Sequence, residues 1–282
     1  MILQKEIIEK AKQWGVIPDT ADKDYVLSHF LSGFYNHFKT ELVFKGGTCL
    51  RKCYFPGYRF SEDLDFTALN HDFELKKMDL TKVCKQVTEH SGILLHAEEP
   101  GILQHNNEKK GYQVYIKYWG ANHSRNQQPT VPKRWLTRIK LEISTEEICL
   151  LTPEQKSIHH PYSDQLINTN TVPCYPLKEI VSEKLRSLVQ RSYSAPRDFY
   201  DLYHLTQNYT KDDWRIVKSL FLDKMKHKNI PFTEAENLIS ADSVEQVKKA
   251  WDRSISHQIN STQANSSSKI IETVIKRIKE NL

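Results

Sequence analysis

No apolar run in this 282-residue chain approaches the ~20 residues that a membrane-spanning helix requires, so a spanning protein is not indicated. Residues 1–15, MILQKEIIEKAKQWG, carry acidic side chains and read as an amphipathic helix, which is not the pattern of a secretory signal peptide. Cysteine is sparse and scattered. Cys49, Cys53, Cys84, Cys149 and Cys174 are odd in number and include no C-x-x-C pair for zinc or redox work, and a reducing cytoplasm suits such a set. Cys49 and Cys53 are spaced to lie one helical turn apart, and that pair reads as incidental. There is no internal repeat. Charge is not extreme either: the net +5 permits a nucleic-acid partner without demanding one. With 39% hydrophobic and 27% charged residues, the composition does not indicate a disordered chain and allows a sizeable core in one large domain or two.

Against that ordinary background one stretch stands out, FKGGTCLRKCYFPGYRFSEDLDF, residues 44–66. Leu42, Val43 and Phe44 read as a short buried strand, Gly46-Gly47 as a turn where backbone amides can approach a ligand, and Thr48 to Lys52 as the start of a helix. Unpaired amides at such a start carry partial positive charge and suit phosphate. In Ser61-Glu62-Asp63-Leu64-Asp65-Phe66 a strand puts Leu64 and Phe66 on one face and Asp63 and Asp65 on the other. Two carboxylates so close repel unless a cation lies between them, and Mg²⁺ takes one or two carboxylates plus substrate phosphate oxygens. A Walker phosphate loop is excluded, because G-x-x-x-x-G-K-[ST] is absent around this turn.

The pattern resembles the AbiEii/AbiGii-type toxin family of bacterial type IV toxin-antitoxin systems. The matching residues are Lys45, Gly46, Gly47 and Thr48, then Arg59, Ser61, Glu62, Asp63, Leu64 and Asp65; upstream stands Lys23-Asp24-Tyr25, and downstream Glu183-Lys184-Leu185 and Arg197-Asp198-Phe199-Tyr200-Asp201-Leu202. The resemblance spans roughly residues 20–205. It implies an α+β protein with the nucleotidyltransferase (polymerase beta-like) fold, a mixed sheet with helices followed by a C-terminal helical bundle. The expected division is a catalytic region over residues 1–150 and a mostly helical region over 151–282 that contributes Lys184 and Asp201.

Along the chain, residues 20–39 read as a helix, with His29 and His37 as packing or surface histidines. A helix is expected over 73–91, strands over 93–96 and 113–119, and a polar loop over 120–134. Arg138 to Ser144 alternates cleanly, with Ile139, Leu141 and Ile143 toward the core. Glu142 is then a candidate third carboxylate, or equally a surface glutamate beside Lys140. Lys109-Lys110, Lys133-Arg134-Trp135, Arg138 and Lys140 combine cations with aromatics as nucleic-acid surfaces do, although a solvated face is the preferred reading of each. Residues 176–191 read as a helix whose apolar stripe contains Lys184; its ammonium must snorkel out, be paired, or reach into a cleft. Glu183 has Arg186 as a local partner three residues on. Asp198 has the position of a helix cap, whereas Asp201, one turn further in, is either an orienting acid or a helix-surface charge. Trp214, Val217, Phe221, Val244, Val247 and Trp251 are candidate core of a helical bundle over 205–255. Residues 257–268 read as a polar linker, followed by a last amphipathic helix.

The resemblance further implies an NTP as substrate, Mg²⁺ or Mn²⁺ at Asp63, Asp65 and Glu142, phosphate contacts from Lys45, Gly46, Gly47, Thr48, Arg59 and Ser61, and catalytic roles for Asp63, Asp65, Lys184 and Asp201. It also implies the 3′ end of tRNA as acceptor, a block of translation, a cognate antitoxin as partner and a cytoplasmic location. A protein nucleotidylyltransferase, a GTP- or ATP-binding regulator without turnover, and an RNA-binding structural protein remain as alternatives.

Overall fold

The structure is a computed structural model that describes residues 1–105, 108–124, 126–167, 171–190, 196–234, 241–255, 258–259 and 266–282. The chain forms two compact units, Met1–Glu147 with Pro153–Cys174, and Ile148–Thr152 with Tyr175–Leu282.

In the first unit, α1 (Gln4–Trp14) stops at Gly15, which takes the left-handed conformation that favours glycine (φ 67°). Pro18 then opens α2 (Pro18–Phe38), its fixed φ suiting the first helical turn. α2 is buried on nearly all sides. The sheet comprises β1 (Leu42–Lys45), β2 (Asp63–Ala68), β3 (Leu94–Ala97), β4 (Gly101–His105), β5 (Glu108–Trp119), β6 (Arg138–Ser144), β7 (Glu154–Lys156) and β8 (Val172–Cys174). Its order is β3-β5-β6-β2-β1-β8-β7, with β4 paired to β5. β2 lies at the centre, antiparallel to β1 and parallel to β6. Period-two alternation explains why the sheet holds: Leu64 and Phe66 of β2, and Ile139, Leu141 and Ile143 of β6, are fully or almost fully buried. Phe66 packs on Phe34 of α2 and on Phe44 of β1, with ring centroids 4.9 and 5.1 Å apart. The same alternation leaves the opposite face of β2 to its two aspartates.

Between β1 and β2 runs α3 (Gly46–Cys49), continued by a wider π-type turn over Leu50–Tyr54. The helix therefore starts two residues before Thr48, taking both glycines into its first turn. α4 (Lys77–Ser91) begins later than the expected 73, because the helical hydrogen bonds start only at the turn from Lys76. The strand expected over 113–119 extends back to Glu108, so Lys109 and Lys110 are strand residues. Lys109 donates to the Phe73 carbonyl at 2.9 Å, and Lys110 is paired with Glu108 and Glu146, so this basic pair is engaged within the unit. In the 120–134 loop the described residues include a short helical turn, Pro132–Arg134.

The second unit contains α5 (Leu177–Gln190), α6 (Pro196–Leu205), α7 (Lys211–His227), α8 (Ala241–Ile255) and α9 (Ser267–Asn281). A capping box between Thr210 and Asp213 fixes the start of α7. Trp214, Val217, Phe221, Val247 and Trp251 are buried as expected, joined by Ile270, Ile271, Val274 and Ile278 of α9; Val244 is only half-buried. Lys224 is an unexpected interior cation. It lies 2.8 Å from Glu179 and 2.9 Å from Glu183, and donates to the Ile148 carbonyl at 2.7 Å. Glu179 in turn accepts from the amides of Leu150 and Leu151. Arg191, and most of the polar linker expected over 257–268, lie outside the described residues. Among the described residues, no helix is long and apolar enough to cross a membrane.

Candidate active site

The acidic residues singled out by the sequence lie together on adjacent strands of the first unit. Asp65 of β2 is in register with Glu142 of β6, Asp63 with Lys140, and on the other side Lys45 of β1 with Asp65. Since side chains two apart share a face, Asp63, Asp65, Lys140 and Glu142 occupy one patch. Burial raises the Asp65 carboxyl to about 6, and the neighbouring charges of Glu142 and Asp63 add to that rise. Burial acts to lower the Lys140 ammonium, but its bond to Glu142, with Asp63 and Asp65 behind it, outweighs this and raises the group above its ordinary value. Lys140 Nζ lies 2.6 Å from Glu142 Oε1. The three carboxylates are not among the groups of the described residues whose ligand atoms all lie within 4.8 Å of one another. Glu142 leans toward Lys140, the cation that the patch supplies for itself.

The glycine turn is pressed directly against these acids. Gly46 has φ +80°, and a Cβ there would collide with Asp65 Oδ2. A Cβ at Gly47 would stand 2.8 Å from Arg59 Nη2 and 2.9 Å from Ser61 Oγ. Thus Gly46 and Gly47 let the backbone of the turn reach the carboxylate, the guanidinium and the hydroxyl at once. Arg59 is nearly fully buried and donates to the Phe60 carbonyl at 3.2 Å. Thr48 is buried as well, and its hydroxyl donates to the Asp63 carbonyl at 2.6 Å. That bond braces β2 against the turn and engages this hydroxyl within the protein.

A cavity of about 400 Å³ opens beside Ser61 and Glu62, lined also by Thr20, Lys23, Tyr118 and Arg138. Lys23 pairs with Glu62 at 2.7 Å. Lys133, Arg134 and Arg138 are exposed, but Trp135 is buried, with its ring nitrogen bonded to the Thr130 carbonyl at 2.8 Å. The Arg138 guanidinium sits over the Tyr115 ring at 4.1 Å. Trp135 is thus a packing residue rather than a stacking platform, and the exposed cations beside it form a solvated face.

In the second unit, Lys184 of α5 meets two acids of α6. Its Nζ lies 2.9 Å from Asp198 Oδ1 and 2.5 Å from Asp201 Oδ2. Of the three outcomes open to a lysine in an apolar stripe, pairing is the one observed. Asp201 is fully buried, so it is not a helix-surface charge, and Asp198 holds the lysine rather than acting as a cap alone. Glu183 does pair with Arg186, at 3.3 Å, and also with Lys224.

Two groupings were not visible in the sequence. Asp24 of α2 is buried between Arg51 and Lys52, at 2.7 and 2.6 Å, and accepts from the Tyr162 hydroxyl at 3.0 Å. Burial alone would raise the Asp24 carboxyl; the charges of Lys52 and Arg51 prevail and hold it well below the usual range, while burial pushes Lys52 down to about 8. This knot pins the π-type turn after α3 to α2. Only the Lys-Asp-Tyr match pointed at Asp24. Cys49 and Cys53 are joined by Cys174 of β8, the three sulfurs lying within 4.8 Å of one another, which the linear spacing of the first pair could not show.

The model of one protein family, described as "Nucleotidyl transferase AbiEii toxin, Type IV TA system", matches residues 29–273. Among solved structures the chain is similar to MenT4, a nucleotidyltransferase toxin from Mycobacterium tuberculosis H37Rv, with a TM-score of 0.65 and 20% identity over 100% of this chain and 91% of that one. It is also similar to a protein from H. pylori assigned as a nucleotidyltransferase, with a TM-score of 0.46 and 16% identity over 91% of this chain and 95% of that one. No curated protein sequence matches. The likeness to MenT4 is one of fold, and it agrees with the mixed sheet and C-terminal helices described above.

Proposed function

The chain belongs to the AbiEii family of nucleotidyltransferase toxins of type IV toxin-antitoxin systems, and from that premise we propose that it transfers a nucleotidyl group from an NTP to the 3′-terminal hydroxyl of tRNA. One observation carries the reading: Asp63, Asp65 and Glu142 share a face of the sheet against a glycine turn that has no room for a side chain. The donor set is all carboxylate oxygen, the hard-ligand chemistry that suits Mg²⁺ or Mn²⁺; burial first, and the charges of Glu142 and Asp63 second, raise Asp65 to about 6, and a bound cation favours its charged form. Asp63 and Asp65 would hold the ion, with Glu142 as third carboxylate once Lys140 yields it. When bound, such a metal neutralises phosphate charge and lowers the pKa of the attacking oxygen.

The rest of the chemistry falls to the chain itself. The amides of Gly46, Gly47 and Thr48 receive the triphosphate, with Lys45, Arg59 and Ser61 beside them, in a fixed array that needs no reorganisation during reaction. The cavity beside Ser61, within the range of small-ligand sites, takes the nucleoside. Lys184, steadied by Asp198 and Asp201, is the further cation to which the family resemblance gives a catalytic role. Blocking the tRNA end would stop translation in the cytoplasm, and a cognate antitoxin restrains the protein, as membership of a toxin-antitoxin family implies.

The test is incubation with Mg²⁺, total tRNA and each α-³²P-labelled NTP in turn, beside an Asp65→Ala control. Label on the tRNA 3′ end that disappears in the control is the expected result. Label on protein alone, or none at all, overturns the tRNA reading.

A further inference from the structure

We propose that His29, His160 and Asp164 form a binding site for one zinc ion, distinct from the carboxylate patch on β2 and β6. The ligand atoms of all three lie within 4.8 Å of one another. His29 is fully buried in the middle of α2, yet neither of its ring nitrogens has a hydrogen-bond partner, and Nδ1 of the nearly buried His160 has none either. His29 Nε2 lies 3.3 Å from Asp164 Oδ2 without the alignment of a hydrogen bond, while His160 Nε2 lies 3.0 Å from Asp164 Oδ1. Tyr25 donates to Asp164 Oδ2 at 2.6 Å, the kind of outer contact that orients a ligating carboxylate.

Ordinary packing does not account for this set. Buried polar atoms nearly always find a partner, and here both ring nitrogens of His29 and Nδ1 of His160 have none, while the two Nε2 atoms face one carboxylate. Two imidazoles and a carboxylate are ligands of zinc, and imidazole disfavours the oxygen-seeking Mg²⁺ and Ca²⁺. Three protein ligands leave one tetrahedral position for water, and Asp164, a quarter exposed, gives the ion a way in. The bound ion would tie α2 to the connection between β7 and β8. Because β8 pairs with β1, the strand that runs into Gly46, the tie steadies the support of the glycine turn.

The experiment loads chelator-stripped full-length protein with Co²⁺ or Zn²⁺, removes excess ion by desalting, and records metal content, the cobalt visible spectrum and the thermal midpoint. Wild type, His160→Gln, Asp164→Asn, Cys53→Ser and Asp65→Ala are compared, with circular dichroism confirming that each is folded. One retained equivalent is expected, with tetrahedral cobalt bands that lack a thiolate charge-transfer component. Cys53→Ser and Asp65→Ala should keep it, and Asp164→Asn should weaken it at least about ten-fold. Zinc should raise the midpoint of wild type and leave His160→Gln unmoved. No retained metal, metal held equally by His160→Gln and Asp164→Asn, or a thiolate band lost in Cys53→Ser would each overturn the proposal, the last by assigning the ion to the cysteine group.

Discussion

Replacing Asp65 with Asn should make the metal-free protein more stable and catalytically dead at once. The Asp65 carboxyl rises from 3.8 to about 6 on folding. The native state therefore holds a proton that the unfolded chain releases, and the stability this contributes is full below about pH 4 and is lost as pH climbs through about 6. The whole interval is worth about 3 kcal/mol, and partial solvent screening brings the expected effect to roughly 1–2 kcal/mol. Asn keeps the shape of the side chain and removes the charge that Glu142 and Asp63 oppose. At neutral pH, Asp65→Asn should thus melt higher than wild type by about 2–6 °C in chelator. Mg²⁺ should raise the wild-type midpoint above pH 6 and barely move the variant, while nucleotidyl transfer falls at least about 100-fold. Scanning calorimetry across pH 4–8, with and without Mg²⁺, reads the midpoints, and transfer of labelled nucleotide reads the activity. A variant less stable than wild type at neutral pH, or a wild-type midpoint flat across that range, would refute the electrostatic account of the patch.

Gly46→Ala puts a methyl group into Asp65 Oδ2 at a backbone angle that disfavours it, and should cost about 1–3 kcal/mol in urea denaturation and abolish NTP binding measured by calorimetry. Asp24→Asn takes the carboxylate from the buried Arg51 and Lys52, and should destabilise the protein by about 3–5 kcal/mol; an effect under 1 kcal/mol would show that the knot is not a structural clamp. Lys184→Ala removes the ammonium shared by Asp198 and Asp201, with a similar expected cost. Because that loss alone would mimic a catalytic one, turnover is compared in Lys184→Arg, which keeps the charge. Retained stability with lost turnover in that variant would mark Lys184 as more than a structural cation.

The strands that carry the acids were legible because both obey strict alternation. Arg138–Ser144 falls where the pattern put it, and β2 begins at Asp63 itself. β4, β7 and β8 were not. β4 is largely exposed and has no apolar face to signal it, β7 and β8 are three residues each, and Pro173 at the centre of β8 argues against a strand when neighbours are unknown. Register is the deeper gap: sequence puts Asp63 and Asp65 on one face, but that Glu142 rather than Lys140 stands opposite Asp65 is a property of the pairing. Partnerships such as Asp24 with Arg51, or Cys174 with Cys49, leave no periodic trace because they join segments far apart in the chain.

β2 puts Leu64 and Phe66 into the apolar interior and Asp63 and Asp65 into the ionic patch, so six residues serve two solvents through one pleat. Loss of one residue within it would send the carboxylates inward and the hydrocarbon outward, removing core and chemistry in the same event. The strand has no partial failure in length, only in identity. The spacing of its two aspartates is thus fixed by the same pleat that fills the core.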